Sequence, residues 1–423
     1  MQKLYFISCI YDIFENNKEK SKNFINKKDE GRVFVALERI KDIENNNKEN
    51  LEDLFEFNEL AKDKLHGFRE GFFVYKDNNW NLTNANSNNL AKREILFNNI
   101  YRGKIIKQLN KKTSSGKIIK ASEVYTYHIN VGHGNCSIIV IKNKKSLNIW
   151  MVDCSNFDFI NGTNYINNIN SCIKHIRHKF YICNFHIDKF FLTHTHFDHY
   201  YGINNLLTKK YLTNKTEFWL NPYFGYPSQT YNEILKKLTK LTQNNFNEPI
   251  TANSSQSINI WHPLTRVVNS KYNTYYQNNI TTVPININNS SAVYQFQFAN
   301  NKNKKISIVF PGDIETKGWG DITKCRPSLN NADYFCISHH GSLNGHQRTN
   351  CPASINISNL SQCSKYVNCA ILMGRNMAYP GIYNSDVIGD FGQKLIKSEE
   401  DTFGNISQFL EIDLLNNRYR HYH

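Results

Sequence analysis

Polarity along the chain changes texture near residue 120. Before that point, apolar runs at 4–11, 32–37, 71–75 and 80–82 read as strands set among Asn, Glu and Lys. Beyond it, runs at 125–131, 137–141 and 147–152 predict three successive strands separated by Gly and Asn turns, the last ending on Asp153. Phe190-Phe191-Leu192-Thr193 is another apolar run, and residues 200–212 predict a helix just after it. Strands over 217–220, 257–261, 292–298 and 305–310 follow, the last two forming a hairpin across Asn300 to Lys304. Runs at 333–337 and 370–373 again end in polar residues. This alternation predicts an α/β protein built as a four-layer sandwich, two sheets flanked by helices. The stretch from Lys111 to Lys117 reads as a linker between a small α+β accessory domain, 1–120, and a second domain, 121–423. The first of these carries no catalytic pattern, and no internal repeat is visible.

Composition adds a preference for anionic partners. Lys and Arg number 51 against 36 Asp and Glu, a net charge of +15 that favours nucleic acid, nucleotides or acidic headgroups. The Lys-rich segments at 18–22, 111–112 and 301–305 read as solvated turns rather than a groove. The 10 cysteines include no CxxC pair, which excludes a small disulfide scaffold or zinc knuckle and suits a reducing cytoplasm. The N-terminal apolar run lacks a cleavage site, and no window approaches about 18 apolar residues, so no membrane span is expected and the location is read as cytoplasmic.

The chemistry concentrates in Thr193-His194-Thr195-His196-Phe197-Asp198-His199. Two imidazoles alternating along an extended segment project to one side, while Asp198 and His199 at the helix start reach a second ion. Such a set suits zinc, manganese or iron rather than calcium, and two such ions can hold a bridging hydroxide. A further strand-end carboxylate stands in Phe310-Pro311-Gly312-Asp313, and imidazoles stand at an equivalent strand end in Ser338-His339-His340-Gly341-Ser342.

Together with Asn130-Val131-Gly132-His133-Gly134-Asn135-Cys136, Val152-Asp153-Cys154 and Asn288-Asn289-Ser290-Ser291, these segments resemble, in order and spacing, the ComEC-type branch of the metallo-β-lactamase superfamily. That branch includes the hydrolase domain of DNA-uptake competence proteins. The resemblance covers about residues 122 to 420 and implies the αββα sandwich. It implies that His194 and His196 hold one ion, Asp198 and His199 the other, that Asp313 bridges them and that His339 completes the shell. His340 would orient the site or contact the leaving group, and Asp153 would hold the metal loop through hydrogen bonds.

Two segments depart from the family pattern. Its Gly-Gln-Gly-Asp reads Gly132-His133-Gly134-Asn135 here, which exchanges a carboxylate for the amide of Asn135 and adds the imidazole of His133 near the site. Its late Asn-x-Tyr-Gly-His-Pro is matched by Gly374-Arg375-Asn376-Met377-Ala378-Tyr379-Pro380, with Tyr379 where the His would stand. Tyr379 is then a candidate to bind the substrate phosphate or protonate the leaving group, His346 a candidate substitute for the missing imidazole, and Arg375 a candidate phosphate clamp.

The expected activity is that of a metal-dependent hydrolase with two zinc or manganese ions, a phosphodiesterase or nuclease acting on nucleic acid or another phosphodiester. Asp198, His340 and Tyr379 are its candidate catalytic residues. At family level this points to defence against foreign DNA. Two rivals stand beside it: a hydrolase of thioesters, lactones or β-lactams using the same site, and a binding or regulatory module with a degraded one.

Overall fold

The computed structural model describes residues 3–12, 32–40, 55–61, 71–76, 79–82, 88–110, 116–144, 146–159, 161–264, 287–325, 332–346, 369–375 and 382–423. Tyr379 lies outside the described residues. The described chain is a mixed α/β protein with several sheets.

An eight-stranded sheet runs in the order Phe246–Asn247, Glu217–Trp219, Lys189–Phe191, Leu147–Cys154, Cys136–Lys142, Glu123–Ile129, Phe409–Asp413, Arg418–Tyr422. Its first four strands are parallel and the rest antiparallel. A second large sheet runs Ile258–His262, Val293–Ala299, Lys305–Phe310, Tyr334–Cys336, Cys369–Leu372, Leu395–Lys397, with Ile119–Lys120 added beside Val293–Ala299. Its last four strands are parallel.

The two-residue period of a strand explains how these sheets pack. Ile139, Ile141, Trp150, Val152 and Phe191 share one apolar cluster with Phe296, Ile308, Phe310 and Tyr334 of the second sheet. Trp150 meets Phe296 with ring centroids 5.4 Å apart. The intervening residues Ile138, Val140, Ile149, Met151 and Phe190 join a different cluster, with Ile169, Ile173 and Ile176 of helix Ile166–Phe180 and Ile234, Leu235 and Leu238 of helix Gln229–Leu241. On the second sheet Val309, Phe335, Ala370 and Leu372 face Trp319 and Ile322 of helix Thr316–Cys325 and Val387 and Phe391 of helix Ser385–Phe391. Strands buried on both faces read as near-continuous apolar runs, as these do.

A five-stranded antiparallel sheet precedes these, ordered Phe55–Ala61, Arg32–Ile40, Lys3–Asp12, Gly71–Lys76, Asn79–Leu82. Leu4, Phe6 and Ile40 belong to the same cluster as the helix Gln229–Leu241, and buried Glu38 accepts the Thr230 backbone N–H at 2.7 Å. Helix Asn89–Lys107 also packs there: Asn98 Nδ2 donates to the Tyr226 carbonyl at 2.7 Å, and Asn232 Nδ2 donates to the Glu94 carbonyl at 2.9 Å. Among the described residues no helix is long and apolar enough to cross a membrane.

Candidate metal centre

Parallel strands bring their carboxyl ends to one edge, so the polar residues that end successive apolar runs meet in space. Asp153 ends Leu147–Cys154, the loop 193–199 follows Lys189–Phe191, Asp313 follows Lys305–Phe310, and His339 and His340 follow Tyr334–Cys336. The two sheets are joined at this edge: Ala292 N–H donates to the Thr193 carbonyl at 2.7 Å, and Tyr294 Oη–H donates to the Leu192 carbonyl at 3.2 Å. Gly312 sits at φ 58°, and a Cβ there would stand 2.7 Å from the Thr193 side chain, so only glycine allows the Asp313 turn to reach the loop 193–199.

Asp198, His199, Asp313 and His340 are buried, and each offers a ligand atom within 4.8 Å of the others. His199 Nε2 lies 3.3 Å from Asp313 Oδ1 and 3.8 Å from Asp198 Oδ2. His340 Nε2 lies 3.3 Å from Asp198 Oδ2 and 3.5 Å from Asp313 Oδ2. The His194 ring packs against both neighbours, with centroids 4.1 Å from His199 and 4.8 Å from His196.

The other ring nitrogens are committed elsewhere. Asp153 accepts His199 Nδ1–H at 2.8 Å, Thr193 N–H at 2.7 Å and Thr193 Oγ1–H at 2.8 Å. The Met373 carbonyl accepts His340 Nδ1–H at 3.3 Å. Both rings therefore turn Nε2 toward the carboxylates, the arrangement by which outer partners aim metal-ligating histidines. His194 Nε2, Asp198 Oδ1, His199 Nε2 and Asp313 Oδ1 are buried without a hydrogen-bond partner among the described residues. Native proteins rarely bury such atoms unpaired, and bound cations would satisfy them, so the donor set fits metal ions.

Electrostatics agree with that fit. Burial opposes a charge on His199, but Asp313, Asp153 and Asp198 outweigh it and hold its pKa well above the usual value. Burial likewise opposes a charge on His340, and Asp313 with the hydrogen bond to Asp198 lifts it to about 9. Burial would raise Asp198 and Asp313, yet His199 and its neighbours pull both well below the carboxylate range. Cations bound there would take over the neutralisation of the two carboxylates. Burial, reinforced by His199 and His196, keeps His194 well below its ordinary value.

Of the two adjacent histidines, the structure brings His340 into the four-residue group and leaves His339 at its rim. His339 Nε2 lies 4.0 Å from Asp313 Oδ2, its Nδ1 lies 3.4 Å from Glu315 Oε1, and the side chain is 13% exposed against 1% for His340. His133 is buried against the group, with Nε2 3.4 Å from Asp198 Oδ2 and its ring 4.3 Å from that of His340. Burial, reinforced by His340, lowers its pKa to about 3. Asn135 donates its backbone N–H to the Asp198 carbonyl at 3.0 Å. His346 and Arg375 have other partners: His346 Nε2 lies 2.8 Å from Asp390 Oδ2, and Arg375 Nε donates to Asp158 Oδ2 at 2.8 Å. Asp158 and Glu315 escaped the reading of the sequence. Neither sits in a metal-ligand spacing, although Glu315 stands only two residues after Asp313.

No family model matches this chain, and no curated protein matches it. A solved structure described as a new diphosphatase from the PhnP family is similar over 69% of this chain and 98% of its own, at 10% identity and a TM-score of 0.33.

Proposed function

We propose that this chain is a metal-dependent hydrolase of the metallo-β-lactamase fold, an αββα sandwich, that cleaves phosphodiesters. The observation that carries this reading is the buried group of Asp198, His199, Asp313 and His340, with His194 beside it, at the shared carboxyl ends of two facing sheets. His194 and His196 would hold one divalent ion, Asp198, His199 and His340 the other, and Asp313 would stand between them. Ions bound there supply Lewis acidity toward phosphoryl oxygens and lower the pKa of water. The residues do the rest. Asp153 fixes the metal loop and the His199 ring, Met373 fixes His340, and the low-dielectric surroundings strengthen every charge interaction inside the site. His339, partly exposed with Nδ1 3.4 Å from Glu315 Oε1, would pass a proton to a leaving oxygen at the rim.

The net charge of +15 favours an anionic substrate, and every phosphodiester carries a negative charge on the group that is cleaved. Metal analysis of the purified full chain, followed by a panel of bis-p-nitrophenyl phosphate, DNA, RNA and nitrocefin, tests the proposal. Two ions per chain and turnover of a phosphodiester are expected. Two bound ions with turnover of nitrocefin alone would reassign the substrate, and a metal-free, inert protein would remove the reading altogether.

A further inference from the structure

The loop 132–135 is built down onto the metal loop. Asn135 N–H donates to the Asp198 carbonyl, Ser155 N–H donates to the Asn135 carbonyl at 2.9 Å, and a Cβ at Gly134 would stand 2.8 Å from the Asp198 carbonyl oxygen. His133 N–H donates to Asp158 Oδ2 at 3.1 Å, and Arg375 pairs with that same carboxylate oxygen. Arg375 follows Gly374, where a Cβ would lie 2.8 Å from His340 Nδ1. One buried carboxylate thus fixes the backbone under His133 and anchors the segment that backs His340.

We propose that His133 is a further metal ligand, its Nε2 joining Asp198 Oδ2 and His340 Nε2 around one ion. The inference rests on the hydrolase reading above. Ligand atoms bound 2.0–2.1 Å from a tetrahedral ion lie about 3.3 Å apart. Asp198 Oδ2 has the His340 nitrogen at 3.3 Å and the His133 nitrogen at 3.4 Å, so both nitrogens stand at the spacing of shared coordination. Beside Asp198 the ion then draws on the two imidazoles of His133 and His340, and imidazole suits zinc, copper, nickel or iron, whereas magnesium and manganese prefer carboxylate, carbonyl and water. The site is therefore selective for a borderline ion over manganese.

A crystal structure of the full chain loaded with zinc reads this directly. A His133 Nε2 to zinc distance of about 2.0–2.1 Å is expected. Zinc present on Asp198 and His340 with His133 more than about 3 Å away would overturn the proposal while leaving the hydrolase reading intact. Absence of zinc from the crystal and from solution would overturn both. In solution, H133Q should weaken the second zinc at least about 100-fold, more than outer partners usually contribute, and change the visible spectrum of the cobalt-loaded protein. It should alter manganese affinity little. Equal zinc affinity and an unchanged cobalt spectrum in H133Q would refute the assignment.

Discussion

Asp153 makes no contact a metal ion would need, yet D153N should weaken metal binding. Its backbone lies at φ 52°, a left-handed conformation that Asn tolerates well, so the substitution changes the side-chain chemistry and spares the backbone. One carboxylate oxygen accepts Thr193 N–H, and the other accepts Thr193 Oγ1–H and His199 Nδ1–H. An amide offers a single acceptor oxygen, so either orientation sets its NH2 against a buried donor. Leaving a buried donor unmet costs about 1–3 kcal/mol. Part of that cost falls on folding of the metal-free chain and part on the aim of His199, whose loss of orientation should lower zinc affinity about 10–100-fold. Competition for zinc with a chromophoric chelator measures the second quantity, and urea unfolding of the metal-free protein measures the first. Zinc binding by D153N within twofold of the parent would mean that this carboxylate does not aim His199.

Replacing Asp313 with Ala should remove one ion and cut phosphodiester turnover by at least about 1,000-fold, because the ions contribute several kcal/mol to the barrier, while the far-ultraviolet circular dichroism stays unchanged. Loss of the secondary-structure signal would instead make Asp313 a folding residue. R375A should destabilise the fold by about 1–2 kcal/mol, since buried Asp158 loses a partly exposed charged donor; an unchanged urea midpoint with only a raised KM would restore the phosphate-clamp reading. Burial lifts Glu38 to about 7 against an ordinary 4.5, so the fold favours its neutral form. Its contribution is complete below pH 4.5 and fades as pH rises through 7, a loss of about 3 kcal/mol that E38Q should abolish; identical pH–stability curves for parent and variant would contradict this.

How much of this could be read from the chain depended on where each residue faces. Strand ends and the position of the loop 193–199 were legible because both-face burial leaves continuous apolar runs that stop abruptly at Asp153, Thr193 and Asp313. Helix Asn89–Lys107 was not, because its buried positions are Ala91, Glu94, Asn98 and Ile105, a helical stripe whose middle is polar and satisfied by Asn232 and Tyr226. The helices Ile166–Phe180 and Gln229–Leu241 do carry a helical period, in Ile169, Ile173, Ile176 and in Ile234, Leu235, Leu238, but long polar stretches mask it. The helix expected over 200–212 begins earlier, at Phe197, and breaks into Phe197–Tyr200 and Ile203–Thr208. Neighbouring His339 and His340 are indistinguishable by composition. Only the backbone decides which ring enters the group, and Arg375 found its partner in Asp158, 217 residues away.

That backbone decision has a consequence for lifetime. His339 (φ 47°, ψ 50°) and His340 (φ 50°, ψ 31°) are consecutive left-handed residues without being glycine, a conformation that costs about 1–2 kcal/mol apiece. Cations on the His340 side would hold the pair in place, so shedding them and springing the segment open become one event. Metal scarcity would then expose this turn to proteases, and cleavage near residues 338–342 should appear on chelation and vanish when zinc returns. The chain's abundance, and not only its turnover, would follow the supply of metal.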